Sequence, residues 1–233
     1  RQVSRCRGSV RATMSASTLK TEDQRASKLG ELQASFSVVD FGPCKGLGVI
    51  ATRDLIEGEM LLHEEPLLRL RRDGPGQFHC TYGLGGDREK CQGVIDTLSQ
   101  HSFGRGLDAA GRDAMTSTER AIETNAFVLE DSTALFLEIS RFNHSCASSA
   151  RFSWDAARAC GTIIMKQDVP KGTEVTINYG TGKHSTLDKR QEHLFERFSF
   201  ECSCDRCRTE EAAEEAQDVE ARSAGIDRSW GRG

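Results

Sequence analysis

Arg141-Phe142-Asn143-His144-Ser145-Cys146 sets an amide, an imidazole and a thiol within four consecutive residues. The apolar run Ala134-Leu135-Phe136-Leu137, with Ile139, leads into it. Much further along, Cys202-Ser203-Cys204-Asp205-Arg206-Cys207 supplies three thiols at C-x-C-x-x-C spacing. Structural zinc almost always takes four ligands. The spacing therefore asks for a fourth, and Cys146, Cys160, His184 and His193 are the candidates. Cys146 is the first to test, because it would tie the Asn143 stretch to the C-terminal cysteines.

Composition narrows the function classes. The 233 residues hold 31 basic and 35 acidic side chains, a net charge of −4. A general polyanion binder would carry a basic excess, so no direct nucleic-acid binding is expected. No apolar run approaches the length of a membrane span. The nine cysteines are unevenly placed, with no secretory h-region ahead of them, which favours reduced thiols in an intracellular compartment, nucleus or cytoplasm. Residues 1–20 carry Arg1, Arg5, Arg7, Arg11 and Lys20 and no acid. That composition reads as a mitochondrial-targeting leader, as a disordered leader, or as translated upstream sequence ahead of a start at Met14. Without those five residues, 26 basic residues face the same 35 acidic ones, a net of −9. An acidic surface suits a basic protein segment through charge steering, or simply serves solubility.

Periodicity then places the elements. Phe36, Val38 and Val39, then Val49-Ile50-Ala51, then Met60-Leu61-Leu62-His63 read as short strands parted by Gly42-Pro43 and by the Asp54–Glu59 turn. Lys45-Gly46-Leu47-Gly48 lies in the first connection. No βαβ context surrounds it, which excludes a dinucleotide site. Residues 69–86, rich in Gly and Arg, read as a loop, and 87–101 and 108–124 as helices. His79, Cys80 and Cys91 match no common zinc spacing. Thr133–Ser140 reads as a short helix. Ala150–Trp154, Thr162–Met165 and Val175–Tyr179 read as three more strands. Leu187–Arg197 reads as a helix capped by Ser185 or Thr186, with Leu187, Leu194, Phe195 and Phe198 on one face. From Thr209 the chain is acidic, a solvated helix or a disordered tail.

In this order, the Lys45–Gly48 turn, Asn143-His144-Ser145-Cys146, a strand ending in Tyr179, and Cys202/Cys204/Cys207 resemble a SET-domain protein lysine methyltransferase. The likeness is to SMYD-like and fungal SET proteins with a post-SET cysteine cluster, and it spans roughly residues 36–207. The cysteines between Leu67 and Asn125 are too few for the MYND finger of full SMYD proteins. The usual Cys-x-Pro-Asn continuation is replaced by Cys146-Ala147-Ser148-Ser149, without the turn-setting proline and the amide.

The resemblance implies a β-rich α+β fold of short antiparallel strands with a pseudoknot, a helical insertion and a zinc-binding post-SET segment. On that division, 1–34 is leader, 35–68 and 125–199 form the two parts of the SET domain, 69–124 is the insertion, 200–208 the zinc segment and 209–233 the acidic tail. It implies S-adenosylmethionine as methyl donor. Lys45, Gly46, Leu47, Gly48, Asn125, Asn143, His144 and Phe200 would bind that cofactor, with Phe200 on the adenine. Tyr179 would sit at the methyl-transfer centre, and Ile177 and Phe198 would line the lysine channel. Cys146 would join Cys202, Cys204 and Cys207 on a structural Zn2+. The implied partner is a protein with a basic lysine-containing segment, histone or not. The alternative is a catalytically weak interaction module that keeps the fold and the zinc.

Overall fold

The computed structural model describes residues 35–42, 45–74, 77–99 and 116–223. The leader, Pro43-Cys44, the start of the second expected helix and the end of the acidic tail lie outside these residues.

The β-rich α+β class holds, with three antiparallel sheets and four longer helices among the described residues. β1 (Phe36–Asp40) pairs with β2 (Leu47–Ala51) from Phe36↔Ala51 to Asp40↔Leu47. The turn between them closes through Phe41 N–H to Gly46 O at 2.8 Å, and Gly42 and Gly46 adopt φ of +89° and +69°, the region glycine tolerates. The other edge of β2 takes β10 (Glu174–Val175). A second sheet runs in the order β3 (Met60–Glu64), β9 (Cys160–Met165), β8 (Ala150–Asp155). Inward residues of both sheets meet in one core of Phe36, Val49, Leu61, Ile163, Val175 and their neighbours. Burying each such side chain contributes about 1.5–3 kcal/mol.

Three expectations need correction. Residues 69–86 are not a loop. β4 (Leu68–Gly74) and β5 (Gln77–Tyr82) form a hairpin. The alternation Leu68-Arg69-Leu70-Arg71 has strand period, and Leu68 is buried. The insertion thus opens as sheet before it turns helical. Thr133–Ser140 is not a helix either: β7 (Ser132–Leu135) pairs on one side with β4 and on the other with β6 (Phe127–Val128), and a 3-10 turn at Ile139–Arg141 follows. Pairing satisfies that backbone, which a run too short for a stable helix could not do alone. Finally, the strand expected over Val175–Tyr179 stops at Val175. Beyond it the chain stays extended and meets the Asn143 stretch through a parallel bridge, His144↔Ile177.

Helices α1 (Arg88–Ser99) and α2 (Ser117–Asn125) pack on the third sheet through Ile95, Leu98, Ala121 and Leu135. α2 starts with a capping box, Thr116 and Glu119 each bonding the other's backbone N–H. Helix α3 (Leu187–Phe198) buries Leu187, Arg190 and Leu194, whereas Phe195, expected on that face, is exposed. Thr186 holds the N-cap position but makes no side-chain cap bond. α4 (Asp205–Ser223) starts inside the cysteine segment and carries the acidic stretch as a largely exposed helix. No helix among the described residues is long and apolar enough to cross a membrane.

Candidate functional site

The site is built on the seam between two extended segments. Ile177 N–H donates to Asn143 O at 2.9 Å, and Ser145 N–H donates to Ile177 O at 3.0 Å. Tyr179 N–H donates to His144 Nδ1 at 3.0 Å, and its hydroxyl donates to Phe142 O at 2.7 Å. Tyr179 is therefore held at both ends by residues 142–144. Because Nδ1 accepts, the neutral His144 ring carries its proton on Nε2, which lies 3.4 Å from Cys146 Sγ. Burial first, and the neighbouring His193 second, hold His144 at about 4, so it is neutral at physiological pH. Its side chain is fully engaged between Tyr179 and Cys146, which leaves only its backbone for a ligand.

The seam needs no proline at Ser148-Ser149. Ser149 Oγ accepts from Thr176 N–H at 3.0 Å, and Ala150 N–H donates to Thr176 O at 2.9 Å. Lys166 Nζ donates to Ser148 O at 3.0 Å. Both serines are buried. Hydrogen bonds to the facing segment thus fix the loop where the family pattern would use proline and an amide. Upstream, Glu64 at the end of β3 accepts backbone N–H bonds from Leu137, Glu138 and Ile139, the shortest at 2.6 Å. That carboxylate ties the turn before the Asn143 stretch to the second sheet. Burial pushes its pKa above the ordinary value, against the pull of those N–H groups.

Asn143 also meets the glycine turn. Its Nδ2 donates to Glu174 Oε1 at 3.0 Å, and the same carboxylate pairs with Lys45, whose ammonium sits 4.8 Å over the Phe41 ring. Gly48 makes room for this. A Cβ there would fall on Asn143 Nδ2 and lie 2.7 Å from Phe41 Cε2. The glycine's lack of a side chain is thus spent on Asn143. Gly48→Ala is expected to cost about 1–3 kcal/mol, because Glu174 prevents Asn143 from yielding. An unchanged midpoint in urea unfolding would show that Asn143 moves freely.

The four sulfurs of Cys146, Cys202, Cys204 and Cys207 all lie within 4.8 Å of one another, with Cys207 Sγ 3.6 Å from Cys146 Sγ. Four thiolates around one zinc at Zn–S of about 2.3 Å would stand about 3.8 Å apart, so this cluster could hold such an ion. Neither Cys160, buried in β9, nor the pair His184 and His193 belongs to it. Burial pushes the Cys202 and Cys207 thiols up. At Cys204 burial acts the same way and is the largest single influence, but the N–H groups of Cys207 and Ala147 together with the Ser145 and Cys202 side chains outweigh it and hold that thiol at about 6. Two side chains of α3 dock the segment. Gln191 exchanges both hydrogen bonds with the Cys202 backbone, at 2.7 and 2.8 Å. Arg190, fully buried, pairs with Glu210 of α4 at 2.5 Å and lies 3.9 Å from Cys207 Sγ.

A cavity of about 470 Å³ opens beside Tyr179. Phe127, Phe142, Tyr179 and Phe198 give it aromatic walls, and Asn125 and Asn178 polar ones. Of the two expected channel residues, Phe198 lines it, its ring 4.9 Å from that of Tyr179. Ile177 does not. Val175 and Ile177 share one face of the extended segment, and both enter the main core. Asn125 lines the cavity rather than joining the Lys45–Glu174–Asn143 group, and its Nδ2 donates to Ala121 O at 3.2 Å. Phe200 packs at a tilt near both His144 and Phe198, at 6.0 and 6.4 Å between centroids. Glu64, Glu174, Gln191 and Arg190 were invisible as site residues, since each acts on a partner far away in the chain. The only local signal was Glu64 closing an apolar strand.

A family model described as "SET domain" matches residues 46–180. Among curated proteins, the chain is 28% identical over 170 residues to the histone-lysine N-methyltransferase set5 of Schizosaccharomyces pombe, covering 72% of this chain and 49% of that protein. It is 36% identical over 91 residues to the histone-lysine N-methyltransferase ASHR2 of Arabidopsis thaliana, covering 37% of the chain and 23% of that protein. It is 32% identical over 96 residues to the protein-lysine N-methyltransferase SMYD4 of Homo sapiens, covering 41% and 12%. The chain thus spans about half the length of the first of these relatives and less of the others.

Proposed function

The chain belongs to the SET-domain family, and from that premise we propose that it transfers a methyl group from S-adenosylmethionine to the side-chain amine of a lysine in a protein. The observation that carries this reading is the placement of Tyr179. It is pinned by the Asn143 seam at both its amide and its hydroxyl, and its ring forms a wall of the 470 Å³ cavity.

The donor set fits the cofactor's amino-acid end. Lys45 can take a carboxylate, and Glu174 with the Asn143 side-chain oxygen can take an ammonium. When bound, the cofactor supplies an electrophilic methyl group on sulfur, so no side chain has to act as nucleophile. What the protein must supply is position and a neutral amine. Free lysine has a pKa of about 10.4. The aromatic walls disfavour the ammonium by desolvation. Burial first, then Glu174, raise the Tyr179 phenol above its ordinary pKa, so it remains protonated. Its proton is committed to Phe142 O, which leaves its oxygen lone pairs to accept from the amine N–H.

The four cysteines are proposed to hold one structural zinc. Its role would be to clamp α4 and the Phe200 segment against the seam. The experiment is incubation of the purified chain with S-adenosylmethionine labelled on the methyl group and a cell extract. Label should appear on lysine in acid hydrolysates. Label confined to other residues, or none at all, would overturn the reading.

A further inference from the structure

The rim of the cavity carries charge of one sign. Among the described residues, its ionisable walls besides Tyr179 are Lys183, His184, His193 and Arg197, and no Asp or Glu lines it. Lys183 ends a 3-10 turn (Thr181–Lys183) that Asn178 fixes by accepting from Gly180 and Gly182 N–H at 2.9 and 3.3 Å. Arg197 stands in the last turn of α3. Both side chains are exposed, and neither has a hydrogen-bond or ion-pair partner among the described residues. Other arginines of the fold do pair: Arg53 with Glu59, Arg69 with Asp131, Arg158 with Asp155, and Arg190 and Arg206 with Glu210. Helix α3 carries Asp188, Glu192 and Glu196, yet none of them reaches this rim.

Resting on the methyltransferase reading, we propose that the lysine this site takes lies in an acidic segment, with Asp or Glu flanking it to meet Lys183 and Arg197. The chain's negative balance pointed to a basic segment, but net charge is a property of the whole surface and substrate meets only the rim. Two cations beside the mouth repel a lysine embedded among further basic residues. Flanking carboxylates remove that penalty and fix register. The same cations also favour the neutral, reactive form of an amine that has entered, because a like charge nearby disfavours the ammonium.

The test uses the purified chain and three peptides, each with a single central lysine flanked on both sides by Glu, by Ala or by Arg. Two readouts are taken at low and at high salt: initial rates of labelled methyl transfer, and binding by fluorescence anisotropy. The Glu-flanked peptide is expected to exceed the Arg-flanked one by about tenfold in both, as two exposed ion pairs allow, with the gap shrinking in high salt. In K183E/R197E the Glu-to-Arg ratio should invert, and in K183Q/R197Q it should fall to near one. Equal binding of the two charged peptides, or a ratio that neither variant moves, would overturn the proposal. Binding that follows the rim charge without any methyl transfer would instead sink the methyltransferase reading and leave the rim assignment standing.

Discussion

Cys146→Ser is expected to lower bound zinc from about one ion per chain to a small fraction, and to lower stability by about 4 kcal/mol or more. The reason is geometric. Cys202, Cys204 and Cys207 sit on one short segment and the start of α4, whereas Cys146 sits on the seam. Remove it and the three remaining thiols are one short of the four ligands a structural zinc takes, so they hold the ion too weakly to retain it and nothing joins the two parts. What then holds α4 is the Arg190–Glu210 pair and the Gln191 bonds to Cys202, too few to order a largely exposed helix. The effect should reach Tyr179 as well. His144 spans the gap from Cys146 Sγ to Tyr179 N–H, so a changed sulfur position alters the ring that orients the tyrosine. Metal content by plasma mass spectrometry and thermal unfolding check the first part. Cys160→Ser, in a buried strand away from the cluster, should leave zinc unchanged. A full complement of zinc in Cys146→Ser would mean that another residue completes the site.

The elements legible in the sequence were those whose stabilising partners are either periodic or near. Val49, Leu61 and Ile163 mark strands by alternation, and Ala150–Asp155 finds Cys160–Met165 across a short turn. The cysteine spacing was equally plain. The β4–β5 hairpin was not, because Gly and Arg dominate its composition while the strand that covers it, β7, lies about sixty residues on. Ala134–Leu137 shows the ambiguity of any short apolar run, which periodicity alone cannot assign to helix or strand. Ile177 lies in the core and not on the cavity for a related reason. Proximity to Tyr179 in sequence suggested a shared channel, but the pleat carries Ile177 into the core with Val175. Arg190 gave no signal, and Glu64 gave only its place at the end of an apolar strand. A charged residue on a helix or at a strand end reads as solvated until its distant partner is known: Glu210 for one, three backbone N–H groups for the other.

Tyr179→Phe is expected to slow methyl transfer by about a hundredfold or more, the usual loss when one preorganised polar group at a reacting centre is removed. The substitution isolates the hydroxyl. The phenyl ring keeps its packing against His144 and Phe198, at 5.3 and 4.9 Å between centroids, and the backbone N–H keeps its bond to His144. What disappears is the bond from the hydroxyl to Phe142 O, worth about 1 kcal/mol of stability, and the oxygen lone pairs proposed to accept from the amine. Unfolding should therefore move little while the rate collapses. Because Lys45, Asn143 and Glu174 are untouched, affinity for S-adenosylmethionine by calorimetry should stay within a few fold. Single-turnover rates with labelled cofactor give the deciding number. A rate within threefold of the parent would place the reacting methyl group away from Tyr179. In that event the aromatic cavity would have to owe its Tyr179 wall to packing alone, and the two-ended anchoring of that residue would serve the fold rather than the chemistry.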